Sequence, residues 1–409
     1  MECILMHKDV AVAEFILDEV SGAITKVNSV SNAGHLPVGV SVRNGNVDRV
    51  SLNTWWVNRS IPTSRSGVRR VLDTLGIASP QVLVGRSAGL SLSDQYWIKP
   101  KNSHLNWGEI NFFDNDFSED IGNILLGKAV DSHEISYHSP DITTDGYLVK
   151  RWKIISGKRC LLKGGSSPFM QQPFNEVIAS KLADRLCIPH VEYSIVWDGD
   201  APYCVCEDFV TRDTDLVSAW AIMKTRKQSN STSVYKHYSD CCKQEEVPGV
   251  QHALDQMIVL DYLIANEDRH LNNFGLIRDA NTLKWIGPAP LFDSGTSLGY
   301  NKMARQITAY GSIECKPFKK THSDQLKLVS SFGWINLERL AGFDKEMSDI
   351  LYSAGDYIDV QRRQRILDAF SVRAEHLAEL VMSAPAQEDN VSEDVEANIA
   401  ETYGTVVQM

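Results

Sequence analysis

Apolar and polar positions alternate through the first thirty residues. Val10, Val12 and the Phe15–Leu17 stretch come first, then Ile24 and Val27 after a Ser21-Gly22 turn. A period of two sends successive side chains to opposite faces, so this segment predicts β-strands. From Ser51 the period lengthens. Val68, Val71, Leu72 and Leu75 recur at helical spacing between Pro62 and Gly76, with Ser64 as a candidate cap. Aromatic residues then crowd residues 90–127, including Trp97, Trp107, Phe112, Phe113 and Phe117. Rings this dense predict a domain core or a contact between domains.

From Ser139 the pattern changes again. Ser139 to Gly146 is a turn-rich loop dense in hydroxyls, leading into a strand over Tyr147–Trp152, a Ser156-Gly157-Lys158 turn and a second strand over Arg159–Lys163. After Gly164-Gly165, Pro173 stands where a first helical turn favours it, and Ile178, Leu182 and Leu186 make one apolar stripe. Tyr203–Phe209 reads as a short apolar strand ending in acids, and Lys224–Ser233 as a polar, mobile stretch. Between Leu254 and Ile264 apolar residues are too dense for a surface helix. That run breaks into a polar cluster, Asn266, Glu267, Asp268, Arg269, His270, Asn272 and Asn273, before Phe274, Leu276 and Ile277 resume. Leu291–Ser297 reads as a strand end running into an Asp-x-Gly turn. Residues 323–382 show helical apolar faces through Leu326, Leu328, Val329, Ile350, Leu351, Ile366, Leu367, Leu377 and Leu380. After Ser383 the composition turns polar and acidic, as expected of a disordered tail.

The 409 residues suggest two or three domains, and 43% hydrophobic with 23% charged residues is ordinary for a globular chain. Net charge is −11, but Glu388, Asp389, Glu393, Asp394, Glu396 and Glu401 all lie in the tail, so the body is only mildly acidic. That argues against direct nucleic-acid binding, which needs basic surface. No apolar run approaches the roughly 20 residues of a membrane span, and the N-terminus lacks the order of a signal peptide, so a cytoplasmic location is expected. The eight cysteines lack zinc-site spacing and read as reduced thiols. His133-Glu134 with His138 is one residue too long for the metalloprotease helix motif and is rejected.

The polar cluster has a chemical reading. Phosphoryl transfer needs an Asp that positions the acceptor, an amide oxygen for Mg²⁺ five residues later, and a second metal-binding Asp further along. Asp268, Asn273 and Asp293 stand in that order, and Gly295 would let the chain turn sharply beside the metal. The alternative is that Asp268, Arg269 and Asn273 only cap helices and pair charges. Lys163 at a strand end and Glu176 thirteen residues later suit a phosphate-binding lysine oriented by a helical glutamate, with an ordinary surface lysine as the alternative. Lys302, Arg305, Lys316, Lys319 and Lys320 form a basic segment, either a solvated face or a flank of the phosphates.

Together Lys163, Glu176, the loop Asn266–Gly275 with its Asp-x-His-x-x-Asn-Phe pattern, and Asp293-Ser-Gly295 resemble the HipA-like kinases, bacterial relatives of the phosphoinositide kinases. The resemblance runs from about residue 130 to 380 and, less specifically, to Gly89–Trp97. It implies an α+β, two-lobed kinase fold: an N-terminal α+β region over 1–130, an N-lobe over 131–212, a mainly helical C-lobe over 213–382, and the tail over 383–409. It implies a Mg²⁺- and ATP-dependent transfer to a Ser/Thr hydroxyl of a protein, with Asp268 catalytic and Asn273 and Asp293 on Mg²⁺. Lys163, Glu176, His270, Thr143 and Thr144 would serve the nucleotide, with backbone contacts to adenine at Glu207 and Phe209. Ser139, Thr143 and Thr144 are the hydroxyls available for autophosphorylation, and a small DNA-binding antitoxin is the partner implied. The Asp-Ser-Gly turn and Arg269 depart from the common kinase pattern. A small-molecule or lipid kinase, a non-catalytic ATP-binding module, and a regulator working only inside a protein–DNA complex are the rival readings.

Overall fold

The computed structural model describes residues 1–130, 135–310 and 313–383. The His133-Glu134 pair and the acidic tail beyond Ser383 lie outside the described residues. The alternating N-terminal stretch forms β1 (Glu2–His7), β2 (Val10–Leu17) and β3 (Ile24–Val30). Tyr96–Pro100 (β4) joins the free edge of β1, giving an antiparallel sheet in the order β3-β2-β1-β4. Helices α1 (Arg49–Asn58), α2 (Val68–Leu75), α3 (Pro80–Arg86) and α4 (Asp120–Leu125) share one apolar core with this sheet, through Phe15, Leu17, Leu52, Trp56, Val71, Leu83 and Ile121. Helix α2 starts at Val68, not near Pro62, so Ser64 does not cap it. Gly67 takes that place at φ 87°, against the Leu125 carbonyl, where only glycine fits.

The hairpin read from residues 147–163 forms with its first strand shifted by three residues. It comprises β5 (Lys150–Ile155) and β6 (Lys158–Gly164), and with β7 (Ser194–Asp198) and β8 (Ala201–Glu207) it makes a second antiparallel sheet, β5-β6-β8-β7. Ser156 and Gly157 both have positive φ, 50° and 81°, as a two-residue hairpin turn requires. That turn sets Ile155 opposite Lys158, and therefore Lys150 opposite Lys163. Helix α5 (Gln172–Arg185) packs behind the sheet. The aromatic region resolves as a contact between parts. Trp97, Trp107 and Phe112 bury themselves against Trp152, which belongs to β5.

A third sheet, β9 (Thr214–Ser218), β10 (Gly275–Asp279) and β11 (Trp285–Pro288), sits on the largest core. That core gathers α5, α6 (Val234–Gln244), α7 (Val250–Ile264), α8 (Phe343–Tyr352) and α9 (Val360–Ser383). Helix α7 runs through its middle, with Leu254, Met257, Ile258, Leu260, Leu263 and Ile264 all buried, as their density predicted. The C-terminal region is less continuously helical than its apolar faces suggest, being irregular between Lys327 and Gly342 apart from one short 3₁₀ turn.

A buried polar bridge locks the N-terminal sheet to the third sheet. Asp215 of β9 accepts from Arg278 of β10 at 2.9 Å and pairs with His7 of β1 at 3.1 Å, while Arg278 also donates to the Tyr96 hydroxyl at 3.0 Å. Among the described residues no helix is long and apolar enough to cross a membrane.

Candidate active site

Four segments converge beside the second sheet. On β6 strand alternation turns Lys163 inward, and α5 presents Glu176 from its first turns; both side chains are buried. The Lys163 ammonium donates to Glu176 Oε1 at 2.9 Å, to Asp293 Oδ1 at 2.9 Å and to the Tyr193 hydroxyl at 3.2 Å, using all three of its protons. Burial opposes that charge, but Asp293 and Glu176 together hold the Lys163 amine well above its usual range. The Asp293 carboxylate is likewise opposed by burial and is held far below its usual range by Lys163 and Lys150. The second oxygen of Glu176 accepts the Ser294 backbone N–H at 2.8 Å, which fixes the turn beyond Asp293 to α5.

The turn itself is built differently from expectation. Asp293, not Gly295, carries the left-handed backbone, at φ 58°. An L-residue held there costs on the order of 1–2 kcal/mol, a strain typical of functional positions. Gly295 answers a different need. A Cβ on it would stand 3.1 Å from the Gln172 carbonyl oxygen and 3.3 Å from Glu176 Cγ, so glycine lets the turn lie against α5.

Helix α7 ends in Ala265 at φ 49°, and the polar loop folds tightly from there. Asn273 donates its amide N–H to the Asp268 carbonyl at 3.0 Å, and Asn266 Oδ1 accepts the Asp268 N–H at 3.1 Å. Arg269, a departure from the common pattern, lies fully buried under this loop. It donates to both oxygens of Asp261, to the Asn273 carbonyl at 2.8 Å, to the Phe292 carbonyl and to Ser294 Oγ at 2.9 Å. One guanidinium therefore fixes the Asp268–Asn273 loop to the Asp293 turn. Among the described residues, Asn273 Oδ1 and Asp293 Oδ2 accept no hydrogen bond. Two oxygens left free on these two residues fit a Mg²⁺ ion, which takes one or two protein oxygens and completes its shell with phosphate and water. The Asp268 carboxylate is partly exposed and meets the Lys316 ammonium at 2.6 Å, so one member of the basic segment reaches the site. His270 stays within the loop, where its Nδ1 accepts the Asn272 N–H at 3.2 Å.

The remaining expected residues are more scattered. Phe209 stacks toward Phe292, with ring centroids 5.5 Å apart, beside Asp293. The Glu207 side chain points outward to Lys158, at 2.6 Å. The hydroxyl-rich loop is folded inward. Ser139 is buried against Asp141, Thr143 donates to the Leu90 carbonyl at 2.7 Å, and Thr144 donates to the Pro140 carbonyl at 2.8 Å while accepting from Trp152. For any of the three to reach a phosphoryl group the segment must leave this packing. The cysteines are all free, and among the described residues no group of three His, Cys, Asp or Glu side chains is placed to hold a metal.

Two cations went unnoticed in the sequence. Lys150 is buried opposite Lys163 with no hydrogen-bond partner among the described residues, and its amine crowds the space beside Gly146. Burial, opposed by Asp293 but assisted by Lys163 and Arg65, brings its pKa to about 8. Arg65, from the N-terminal region, donates to the Gly146 carbonyl at 2.8 Å and the Thr144 carbonyl at 2.5 Å, tying the loop down. The hairpin turn was a readable signal for Lys150, since pairing outward from it reaches Lys163. For Arg65, 79 residues from Thr144 in the chain, there was none.

The sequence matches the HipA-like C-terminal domain family over residues 143–356, just over half of the chain. No curated protein matches it. Among solved structures, a chain of the Shewanella oneidensis MR-1 toxin–antitoxin complex of HipA, HipB and operator DNA aligns at 14% identity, covering 94% of this chain and all of that one, with a TM-score of 0.49. The Helicobacter pylori proinflammatory kinase CtkA aligns at 17% identity over 58% of this chain and 92% of its own, with a TM-score of 0.45.

Proposed function

This chain belongs to the HipA-like C-terminal domain family, and on that premise we propose that it is an ATP- and Mg²⁺-dependent kinase of two-lobed architecture that phosphorylates a Ser/Thr hydroxyl on a protein. The observation that carries the reading is the convergence of Lys163, Glu176 and Asp293 in one buried ion cluster, braced through Arg269 to the loop bearing Asp268 and Asn273. A buried charge is costly unless paired, and a cluster of three buried charges that leaves one Asp293 oxygen unbonded among the described residues supports a site for a charged ligand.

In this reading Lys150 and Lys163 bind the phosphates of ATP, Lys163 exchanging one of its present bonds for a phosphate oxygen while Glu176 keeps it aimed. Asn273 and Asp293 would hold Mg²⁺, which would supply charge neutralisation at the phosphates. Asp268 orients the acceptor hydroxyl and takes its proton as the oxygen forms its bond to the γ-phosphorus and the bond to ADP breaks. The inward loop over Ser139, Thr143 and Thr144 is then the segment whose release would expose it to autophosphorylation. A small DNA-binding antitoxin is the proposed partner, as the resemblance to the HipA-like kinases implies. A gel shift of candidate operator DNA, with and without that partner, tests this part.

Incubation with Mg²⁺ and γ-labelled ATP, followed by intact mass and peptide mapping, tests the chemistry. Label on the wild type or on an added protein, absent in Asp268→Ala and Asp293→Ala, is the expected result. Label only in the small-molecule fraction would make it a metabolite or lipid kinase, and ATP binding without transfer would make it a binding module.

A further inference from the structure

We infer that a cavity behind the catalytic loop is a binding site for a small oxyanion of the phosphate type, with Arg373 as its anchor. The cavity encloses about 190 Å³, open to solvent, and its wall includes Ala265, Glu267, Lys302, Gln306, Thr308 and Arg373. Its wall includes none of Lys163, Glu176, Asp268, Asn273 and Asp293, and borders their segments at Glu267 and at Leu298-Gly299.

Three buried arginines lie in this part of the molecule, and comparison among them singles one out. Every guanidinium nitrogen of Arg269 bonds to Asp261, Ser294 or a carbonyl. Arg362 is equally complete, donating to Gln171 at 2.7 Å, to the Lys302 carbonyl, to the Gly299 carbonyl at 2.8 Å and to the Tyr300 carbonyl at 3.1 Å. Arg373 is 4% exposed, yet it makes one hydrogen bond, from Nε to the Leu263 carbonyl at 2.8 Å. That bond caps the C-terminal end of α7 and explains why a cation is tolerated there. It leaves both terminal amino groups, with four N–H donors, unbonded among the described residues, on the wall of a solvent-connected cavity.

A buried guanidinium without a carboxylate is an expensive arrangement unless a counter-ion completes it. Burial, only weakly opposed by the Tyr262 phenol, pulls its pKa to about 10. Beside apolar side chains such as Leu298 and Ile366, the wall includes three residues able to donate, Lys302, Thr308 and Gln306. The carboxylate on the wall, Glu267, is already neutralised by Lys302. The planar fork of an arginine matches two oxygens of a phosphate, and the other donors can take the rest. Roughly six waters' worth of space, at about 30 Å³ each, holds such an ion with part of its shell.

Calorimetric titration of inorganic phosphate at constant ionic strength tests the assignment on the full chain and three variants. Saturable binding is expected in the wild type and in Lys163→Met, which removes the competing cation of the nucleotide site. Arg373→Gln should weaken it more than about tenfold, as loss of a charge-assisted pair implies, and Lys302→Met should weaken it several-fold. Absence of saturable binding in the wild type overturns the inference. So does loss in Lys163→Met with retention in a cooperatively melting Arg373→Gln. Should Arg373→Gln fail to fold, unchanged affinity in Lys302→Met overturns it equally.

Discussion

Arg269 and Asp261 are both fully buried and share two hydrogen bonds, Nε to Oδ2 at 3.0 Å and Nη2 to Oδ1 at 2.9 Å. The pair joins the end of α7 to the loop carrying Asp268, and through the Phe292 carbonyl to the turn carrying Asp293. Replacing Arg269 by Met leaves a buried carboxylate with Asn266 as its remaining side-chain donor. We expect a loss of about 3–5 kcal/mol in urea unfolding, the usual cost of breaking a buried pair from one side. The double variant with Asp261→Asn should recover part of it. A loss under about 1 kcal/mol for Arg269→Met would mean the brace is not structural.

Lys316 meets Asp268 at 2.6 Å, with side chains 55% and 38% exposed. Pairs this exposed contribute little to stability, about 0–1 kcal/mol. On the proposed kinase reading the ammonium lies beside the carboxylate that orients the acceptor, and a fixed charge there would act on the transition state. Lys316→Met should therefore lower kcat about tenfold or more while leaving the melting temperature nearly unchanged. A full-rate enzyme with the variant would show that the contact only shields Asp268.

Two buried groups oppose each other below neutral pH. Burial raises the Asp141 carboxyl to about 7, so between roughly pH 4 and 7 the folded chain holds a proton there that the unfolded chain has lost. Its contribution therefore weakens as pH rises through that window. Burial lowers His322 to about 4, so below its ordinary value of about 6.5 the unfolded chain binds a proton that the folded chain does not, and stability falls on acidification. Each slope is about 1.4 kcal/mol per pH unit, and between about pH 4 and 6.5 they nearly cancel. Asp141→Asn should make stability drop steeply on going from pH 6.5 to 4, and His322→Phe should make it rise. Denaturant midpoints at pH 4.5 and 6.5, compared with those of the wild type, distinguish these outcomes from a profile left unchanged by either substitution.

Gly295 touches α5 closely, its absent Cβ falling 3.1 Å from the Gln172 carbonyl oxygen and 3.3 Å from Glu176 Cγ. A backbone carbonyl cannot swing aside, so Gly295→Ala must push the turn away from α5 and loosen Glu176 from Lys163. We expect a cost of about 1–3 kcal/mol, as for other overpacked sites, and weaker ATP binding by calorimetry. Wild-type affinity in this variant would show that the turn has room to relax.

The sequence alone determined what depends on neighbours along the chain. Strand alternation in residues 1–30, the burial of α7 and the 156–157 hairpin follow from periodicity and turn chemistry. The order of Asp268, Asn273 and Asp293, with Lys163 and Glu176, suggested the phosphate site proposed above, while the contact of Lys163 with Asp293 across 130 residues was left to the fold. Tertiary structure alone decided the contacts between distant segments. It brought Arg65 to the Thr144–Gly146 loop, Lys316 to Asp268, and His7 to Asp215 across 208 residues. It also turned the Ser139 and Thr143 hydroxyls inward, moved the strained turn from Gly295 to Asp293, and left Arg373 with an open cavity in front of it. None of these has a local signature, since each arises from how packed elements meet once loop closure has brought them together.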